Sequence, residues 1–330
     1  METIRKFQVT GFGRLAVPLL PVLLVAFCVT FGMIEPRFLR YANILNILRN
    51  ASYLSLVAAG QMLVIVVGGF DISVSAVVAL TSVSTALSLG MMGSLLPDAA
   101  LLAAVLGCLL GMVPALIVGL ANGLSVSVLK APPFIVTIGT MSVALGIADY
   151  LSGGTPIYGL PDNFLAAIGT GKVGGIANAI VIAALTLTVL AYVLGSTRSG
   201  RYFYAVGGNE RGARFSGVNV TLYTTLAYVL SAALAGLAGI LLTARVGSGE
   251  ATLGNSLMLQ SIAAAILAGV SLRGGSGSLP MVVLGAIFLS MISNGLNLIH
   301  VDSRYEVIVT GIIVIAAVAM EKLREKGSRT

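Results

Sequence analysis

The chain has 330 residues, of which 57% are hydrophobic and only 9% charged, with a net charge of +7. Soluble domains carry about 25% charged residues, so the composition excludes a water-soluble globular protein and predicts an all-α polytopic membrane protein. The positive balance does not call for nucleic acid, because cytoplasmic loops of membrane proteins are basic in any case.

Runs of about 20 apolar residues, the length a helix needs to cross a bilayer, recur along the whole chain. They predict about ten spans, near 15–34, 47–67, 73–92, 99–120, 134–153, 176–194, 221–243, 258–272, 279–299 and 305–320. This leaves no room for a soluble domain, so residues 1–330 are expected to form one transmembrane domain. The first run lacks a small-x-small cleavage pattern and is expected to be retained as a span. Cys28 and Cys108 both fall inside apolar runs, which argues against a disulfide framework.

An even number of spans puts both termini on one side. With the N-terminus inside, the cytoplasmic loops and ends hold thirteen Lys and Arg and the outer ones six. That asymmetry predicts cytoplasmic termini. The dissent is a cluster at Arg37, Arg40 and Arg49. The longest outer loop, Gly153 to Gly175, is rich in Gly and Pro.

Gly68-Gly69-Phe70-Asp71-Ile72-Ser73-Val74-Ser75 interrupts a long apolar run. Two glycines followed by Asp and Ser mark a helix end and a new start. Asp71 has two readings. As a helix cap it needs only local geometry, and that reading is preferred. As an ionisable group at membrane depth it is a candidate substrate contact. Further on, Asn122 and the stretch Pro132-Pro133-Phe134-Ile135-Val136-Thr137 bracket an inner loop that holds Lys130, with a helix expected to start near Pro133. Gln61, Asp71, Asn122, Phe134 and Thr137 are the candidate residues of a translocation path. For the neutral polar groups Asn122, Ser125, Thr137 and Thr140, hydrogen bonding between helices is at least as good an account. Small residues such as Gly107-x-x-x-Gly111 and Gly236-x-x-Gly239 are expected to serve close helix packing.

Residues 196–220 form the longest clearly polar internal segment, with Arg198, Arg201, Arg211 and Arg214 against Glu210 alone. Gly207-Gly208 breaks the chain, and Asn209 is placed to cap a new helix. Glu210 suits the first turn, and Gly217 suits a left-handed helix end. The expected product is one short helix outside the membrane, with a basic side, an exposed Phe215 and a close-approach Ala213. Acidic lipid is one occupant for such a helix. A soluble partner is the other.

Enzyme signals are poor. His300 is the single histidine, no Cys/His/Asp cluster has metal spacing, and no P-loop is present. Leu151-Ser152-Gly153-Gly154 imitates an ATPase signature without its context. Arg273-Gly274-Gly275-Ser276-Gly277-Ser278 reads as a flexible turn between spans. Neither catalytic residues nor metal or cofactor sites are expected.

The pattern Glu210-x-x-Ala213-x-x-x-Gly217 resembles the EAA-type loop of membrane subunits of ATP-binding-cassette (ABC) importers. In order along the chain, GQMLVIVVGGFDISVS, ANG followed by PPFIVTIGTM, SGGTPI, YAVGGNERGARFSGV and LAGVSLRGGSGS resemble permease subunits of ribose- and xylose-type sugar ABC importers. The similarity covers about residues 40–320. Permeases for branched-chain amino acids share parts of it. Ile72 and Ser75-Ala76 depart mildly from the usual sugar-branch pattern. The resemblance implies a multi-pass protein of the bacterial inner membrane that pairs with a second permease subunit, identical or not. It further implies a cytoplasmic ATPase subunit that holds ATP and Mg, and an external sugar-binding protein that delivers a pentose or hexose. Asn209, Glu210, Arg211, Ala213, Arg214, Phe215 and Gly217 then become the ATPase-coupling positions. An ion-coupled secondary transporter is the rival class, with Asp71 as its best ionisable group. The scarcity of acids and bases in the spans favours a neutral solute.

Overall fold

The computed structural model describes residues 19–319, apart from 303, 306, 314, 317 and 318. The chain is mostly helical. In order come α1 (Leu19–Ile34), α2 (Tyr41–Val66), α3 (Val74–Leu95), α4 (Ala100–Ser127), α5 (Pro133–Ser152) and the single turn α6 (Asp162–Phe164). There follow α7 (Asn178–Ser196), α8 (Arg198–Gly208), α9 (Glu210–Phe215), α10 (Val220–Val246), α11 (Leu257–Leu267) and α12 (Leu279–Leu298). Among the described residues, six helices are long and apolar enough to cross a membrane: α3, α4, α5, α7, α10 and α12. The last expected span, 305–320, falls partly outside the described residues. So do the basic residues expected at both cytoplasmic ends.

Burial separates the helices into two groups. In α3 and α10, 78% and 67% of the apolar window is buried, whereas α4, α5 and α7 bury only 28%, 17% and 22%. The inner helices therefore face protein, and the outer ones turn leucine, isoleucine and valine outward, the arrangement an apolar solvent requires. The second half of α2, from Ala51 to Val66, is buried without interruption.

Small residues set the spacing of these helices. Along α4, Gly107 and Gly111 lie against Leu89 and Thr85 of α3, and Gly119 and Gly123 lie against α10. A Cβ at Gly111 would stand 2.6 Å from the Thr85 Cα, and one at Gly123 would stand 2.8 Å from the Thr225 Cα. Small side chains let backbones approach where lipid offers no hydrophobic drive between helices. The expected packing role of Gly107, Gly111, Gly236 and Gly239 is what the structure shows.

Three features depart from the sequence expectation. The expected span 258–272 shrinks to α11, whose 11 residues extend about 16 Å and do not cross a 30 Å core. Its apolar run continues, but Gly269 takes φ +78° and ends the helix. Gly269 N–H bonds the Ile266 carbonyl and Val270 N–H bonds the Ala265 carbonyl, a glycine stop that hydropathy does not register. Second, the all-α expectation misses a small antiparallel ladder, β1 (Lys172–Val173) with β2 (Ile176–Ala177). Gly174 and Gly175, both at positive φ, make its two-residue turn. Third, α2 starts at Tyr41, earlier than expected. Its first turns carry Asn43, Asn46, Arg49 and Asn50, which lower the hydropathy although the helix continues.

Candidate functional site

The polar loop between α7 and α10 holds two helices where one was expected: α8 runs through Gly207 and Gly208 before α9 starts. Thr197 caps α8 by accepting from Gly200 N–H at 3.0 Å, and Asn209 caps α9 by accepting from Gly212 N–H at 2.9 Å. Glu210 occupies the first turn of α9, where the helix dipole favours its charge. The other end closes with paired bonds. Val218 N–H reaches the Ala213 carbonyl at 3.0 Å, and Gly217 N–H reaches the Arg214 carbonyl at 3.1 Å. Gly217, at φ +81°, supplies the left-handed residue this closure needs.

The result is a six-residue helix held rigidly at both ends. Phe215 projects from it at 92% exposure. Arg211 and Arg214 are exposed beside it. Glu210 is shared between Arg214 at 3.1 Å and Lys130 at 3.3 Å. Lys130 belongs to the loop between α4 and α5, so this exposed pair ties that loop to the α8–α9 loop at small energetic value. The close approach expected of Ala213 is made to the bundle itself, where the residue is buried at 6% exposure. It packs into the chain's own core, and its small side chain lets α9 lie close to the bundle. The outward face belongs to Phe215 and the arginines.

Beneath this loop lies a junction of glycines. A Cβ on Gly207 would stand 1.7 Å from the Val66 carbonyl oxygen at the end of α2, and one on Gly275 would stand 2.6 Å from the Gly208 Cα. Gly275 N–H donates to the Val66 carbonyl at 2.8 Å, and the Tyr204 hydroxyl donates to the Gly277 carbonyl at 3.2 Å. The segment 273–278, read from sequence as a flexible turn, is therefore a packed contact. It wedges between the end of α8 and the end of α2, and only glycine fits there.

The end of α2 leads directly into the break at Gly68–Ser73. Gly68 at φ +82° turns the chain, and the Tyr228 hydroxyl of α10 bonds both the N–H and the carbonyl of Phe70 at 3.3 Å. Asp71 is buried at 2% exposure. Its Oδ1 accepts from Ser73 N–H at 2.9 Å and from the Ser73 hydroxyl at 2.6 Å, and its Oδ2 accepts from the Ser231 hydroxyl at 3.2 Å. Asp71 thus fixes Ser73, the residue from which α3 starts, and binds α10. It does not cap α3 itself: no N–H of that helix's first turn is bonded by a side chain at its cap, so the expected cap is replaced by a turn one step upstream.

The network extends further. Asn122 Nδ2 of α4 donates to the Ser73 hydroxyl at 2.8 Å, and Thr140 of α5 donates to Asn122 Oδ1 at 2.7 Å. Each polar side-chain atom of Thr140, Asn122, Ser73 and Asp71 has at least one hydrogen-bond partner. The polar groups join α4, α5 and α10 to the α2–α3 break.

Other candidate path residues distribute around this core. Phe134 is half-exposed, with its ring centroid 6.4 Å from that of Phe70. Thr137 is fully buried and bonds back to the Pro133 carbonyl at 2.9 Å. Gln61 is fully buried in α2, and neither atom of its amide has a partner. Ser73, Thr140, Tyr228 and Ser231 complete the network although they were not among the candidate site residues. Thr140 was legible as a neutral polar group near Pro133. Tyr228 and Ser231 lie in mid-span, with no local signal beyond a polar atom in an apolar run. Among the described residues no cluster of three His, Cys, Asp or Glu side chains comes together.

The family described as "Branched-chain amino acid transport system / permease component" matches residues 43–318. The ribose import permease protein RbsC of Bacillus subtilis (strain 168) is 38% identical over 88% of this chain and 88% of its own length. That of Haemophilus influenzae is 37% identical over 90% of each chain. The D-allose transport system permease protein AlsC of Escherichia coli (strain K12) is 34% identical over 90% of this chain and 88% of its own. No solved structure matches the chain. The chain belongs to the permease component family of branched-chain amino acid transport systems, and it is a multi-pass membrane protein.

Proposed function

We propose that this chain is the membrane-spanning permease subunit of a binding-protein-dependent ABC importer that carries a monosaccharide into the cytoplasm. The observation that carries the reading is the capped α9 helix with exposed Phe215, Arg211 and Arg214, joined through the glycine junction to the α2–α3 break. In this reading Asn209, Glu210, Arg211, Arg214, Phe215 and Gly217 present and shape the surface that docks a cytoplasmic ATPase, while Ala213 seats the helix on the bundle. The ATPase holds ATP and Mg, and this chain hydrolyses nothing and needs no cofactor of its own. Residues 1–330 form one transmembrane domain of about ten spans, with both termini and the loop 196–220 in the cytoplasm. The chain resides in the bacterial inner membrane beside a second permease subunit and receives its solute from an external sugar-binding protein.

A sugar fits the core groups. Exposed Phe134 and the unpartnered amide of Gln61 offer aromatic and neutral polar contacts, whereas Asp71, Asn122 and Thr137 are engaged within the bundle. Ribose and allose permeases among the relatives support a pentose or hexose. A branched-chain amino acid is the second reading, favoured by the family's description. Its two charges would enter a core with few counter-charges. Uptake in vesicles containing the permease, its ATPase and its binding protein decides between them. Leucine transport without monosaccharide transport would reject the sugar reading.

A further inference from the structure

At the end of the bundle remote from the α8–α9 loop, the chain surrounds a cavity of about 270 Å³. Leu242, on its wall, lies 22 residues beyond the start of α10, about 33 Å along the helix axis. The cavity is therefore separated from the coupling surface by most of the bundle's height. Its polar wall is Asn50 and Tyr53 from α2, Ser256 and Gln260 from the start of α11, and Ser290 and Ser293 from α12. Leucines from α2, α10, α11 and the loop before it, with Gly254, make up the rest.

No full charge lines this wall. Two cations stand near it: Arg49, whose charge is felt at Tyr53, and Arg245, which is already engaged. Arg245 donates to Asn50 Oδ1 and, at 3.4 Å, to Asn46 Oδ1, and its guanidinium lies 5.6 Å from the Tyr53 ring centroid. Glu250, on the loop before α11, accepts from the Ser248 hydroxyl at 2.6 Å and is not part of the wall. The same loop is pressed onto α3 at Gly254, which has φ +104° and where a Cβ would stand 2.9 Å from the Val78 side chain. A wall of amides and hydroxyls presents no charged group to the cavity, with Arg245 engaged by Asn50 and Tyr53, and this favours neutral solutes over ions. The volume lies just under the roughly 300–1,000 Å³ of pockets for drug-sized ligands, which suits a smaller molecule.

We propose that this cavity is a receiving subsite for one neutral polyhydroxylated solute, with Asn50, Gln260 and Ser290 as recognition groups. Arg245 is a positioning residue. Its bond takes the acceptor oxygen of Asn50, which leaves the amide as a donor, and its stacking steadies the Tyr53 ring. The proposal rests on the importer reading above and adds to it an entry site distinct from the Asp71 network.

The test uses the assembled transporter, with its ATPase and binding protein, reconstituted in vesicles and supplied with labelled ribose and allose. The double variant Asn50→Leu, Gln260→Leu should slow uptake about tenfold or more, the loss expected from two hydrogen bonds to solute. ATP hydrolysis stimulated by loaded binding protein should stay within about twofold, since the coupling surface is untouched. Ser256→Phe, at an exposed position that spares the fold, should fill the cavity with the same effect. In Ser256→Cys, a membrane-impermeant maleimide should label the thiol, and saturating ribose or allose should slow that labelling. Variants that transport at the wild-type rate, with labelling indifferent to sugar, would overturn the subsite while wild-type uptake upheld the importer. A wild-type system that moves no monosaccharide would overturn the importer's substrate reading, and the subsite with it.

Discussion

Asp71→Asn and Asp71→Ala together separate a structural carboxylate from a functional charge. In Asn, the remaining carbonyl oxygen keeps both bonds from Ser73. The new NH₂ meets Ser231, whose hydroxyl turns from donor to acceptor. The geometry survives and only charge assistance is lost. Bonds to a charged group contribute about 1.5–3 kcal/mol against about 0.5–1.5 for neutral ones, and the relief of burying a charge offsets that difference. The expected net change for Asn is within about 1 kcal/mol. Alanine strands the Ser73 N–H and two hydroxyls. At about 1–2 kcal/mol for each of three buried donors, the cost is roughly 3–6 kcal/mol. Thermal unfolding of the purified permease measures both variants, and uptake in the reconstituted system accompanies it. Asn should unfold near the wild-type temperature and transport well, and Ala should lose stability and yield. An Asn variant that is stable yet inactive would refute the argument and make the charge itself part of transport.

Gly207→Ala drives a Cβ into the Val66 carbonyl, so α8 must part from α2. ATP hydrolysis stimulated by loaded binding protein should fall more than the amount of assembled complex recovered by affinity purification. Gly217→Val meets no neighbour, but its left-handed backbone costs about 1–2 kcal/mol. Uptake should drop at normal membrane level, and normal uptake would remove Gly217 from the coupling motif. Asn209→Ala should lose about 1 kcal/mol of cap stability, seen as faster amide exchange across residues 210–215. Reporter fusions after Gly208 should score cytoplasmic, and one near Pro161 external. An external score at Gly208 would eliminate ATPase docking by α9.

Within the loop 196–220, α9 was legible in detail because caps and helix stops are local, whereas α8 was missed because two adjacent glycines read as a break. Asn209, Glu210 and Gly217 act on residues within one turn, and their chemistry is written in sequence order. The inward turn of Ala213 was not, because alanine fits either face and only the position of α9 over the core decides. Asp71 could be read as a helix-start residue from the neighbouring Ser73. Its bond to Ser231 spans 160 residues, and only the packing of α10 against the break brings them together. The glycines at 207 and 274–275 looked like flexible punctuation. They serve close backbone approach, a property of two segments that neither shows alone. Hydropathy likewise overextended α11, because Gly269 ends a helix through its backbone while leaving the apolar run intact. The cavity around Asn50 and Gln260 gave no local signal, since its walls come from four helices and a loop far apart in the chain.

Labelled uptake in vesicles that hold this permease, its ATPase and its binding protein tests the central claim most directly. The account predicts inward movement of a pentose or hexose that requires ATP and the loaded binding protein, with leucine excluded. Uptake that continues without the ATPase, driven by an ion gradient alone, would contradict it.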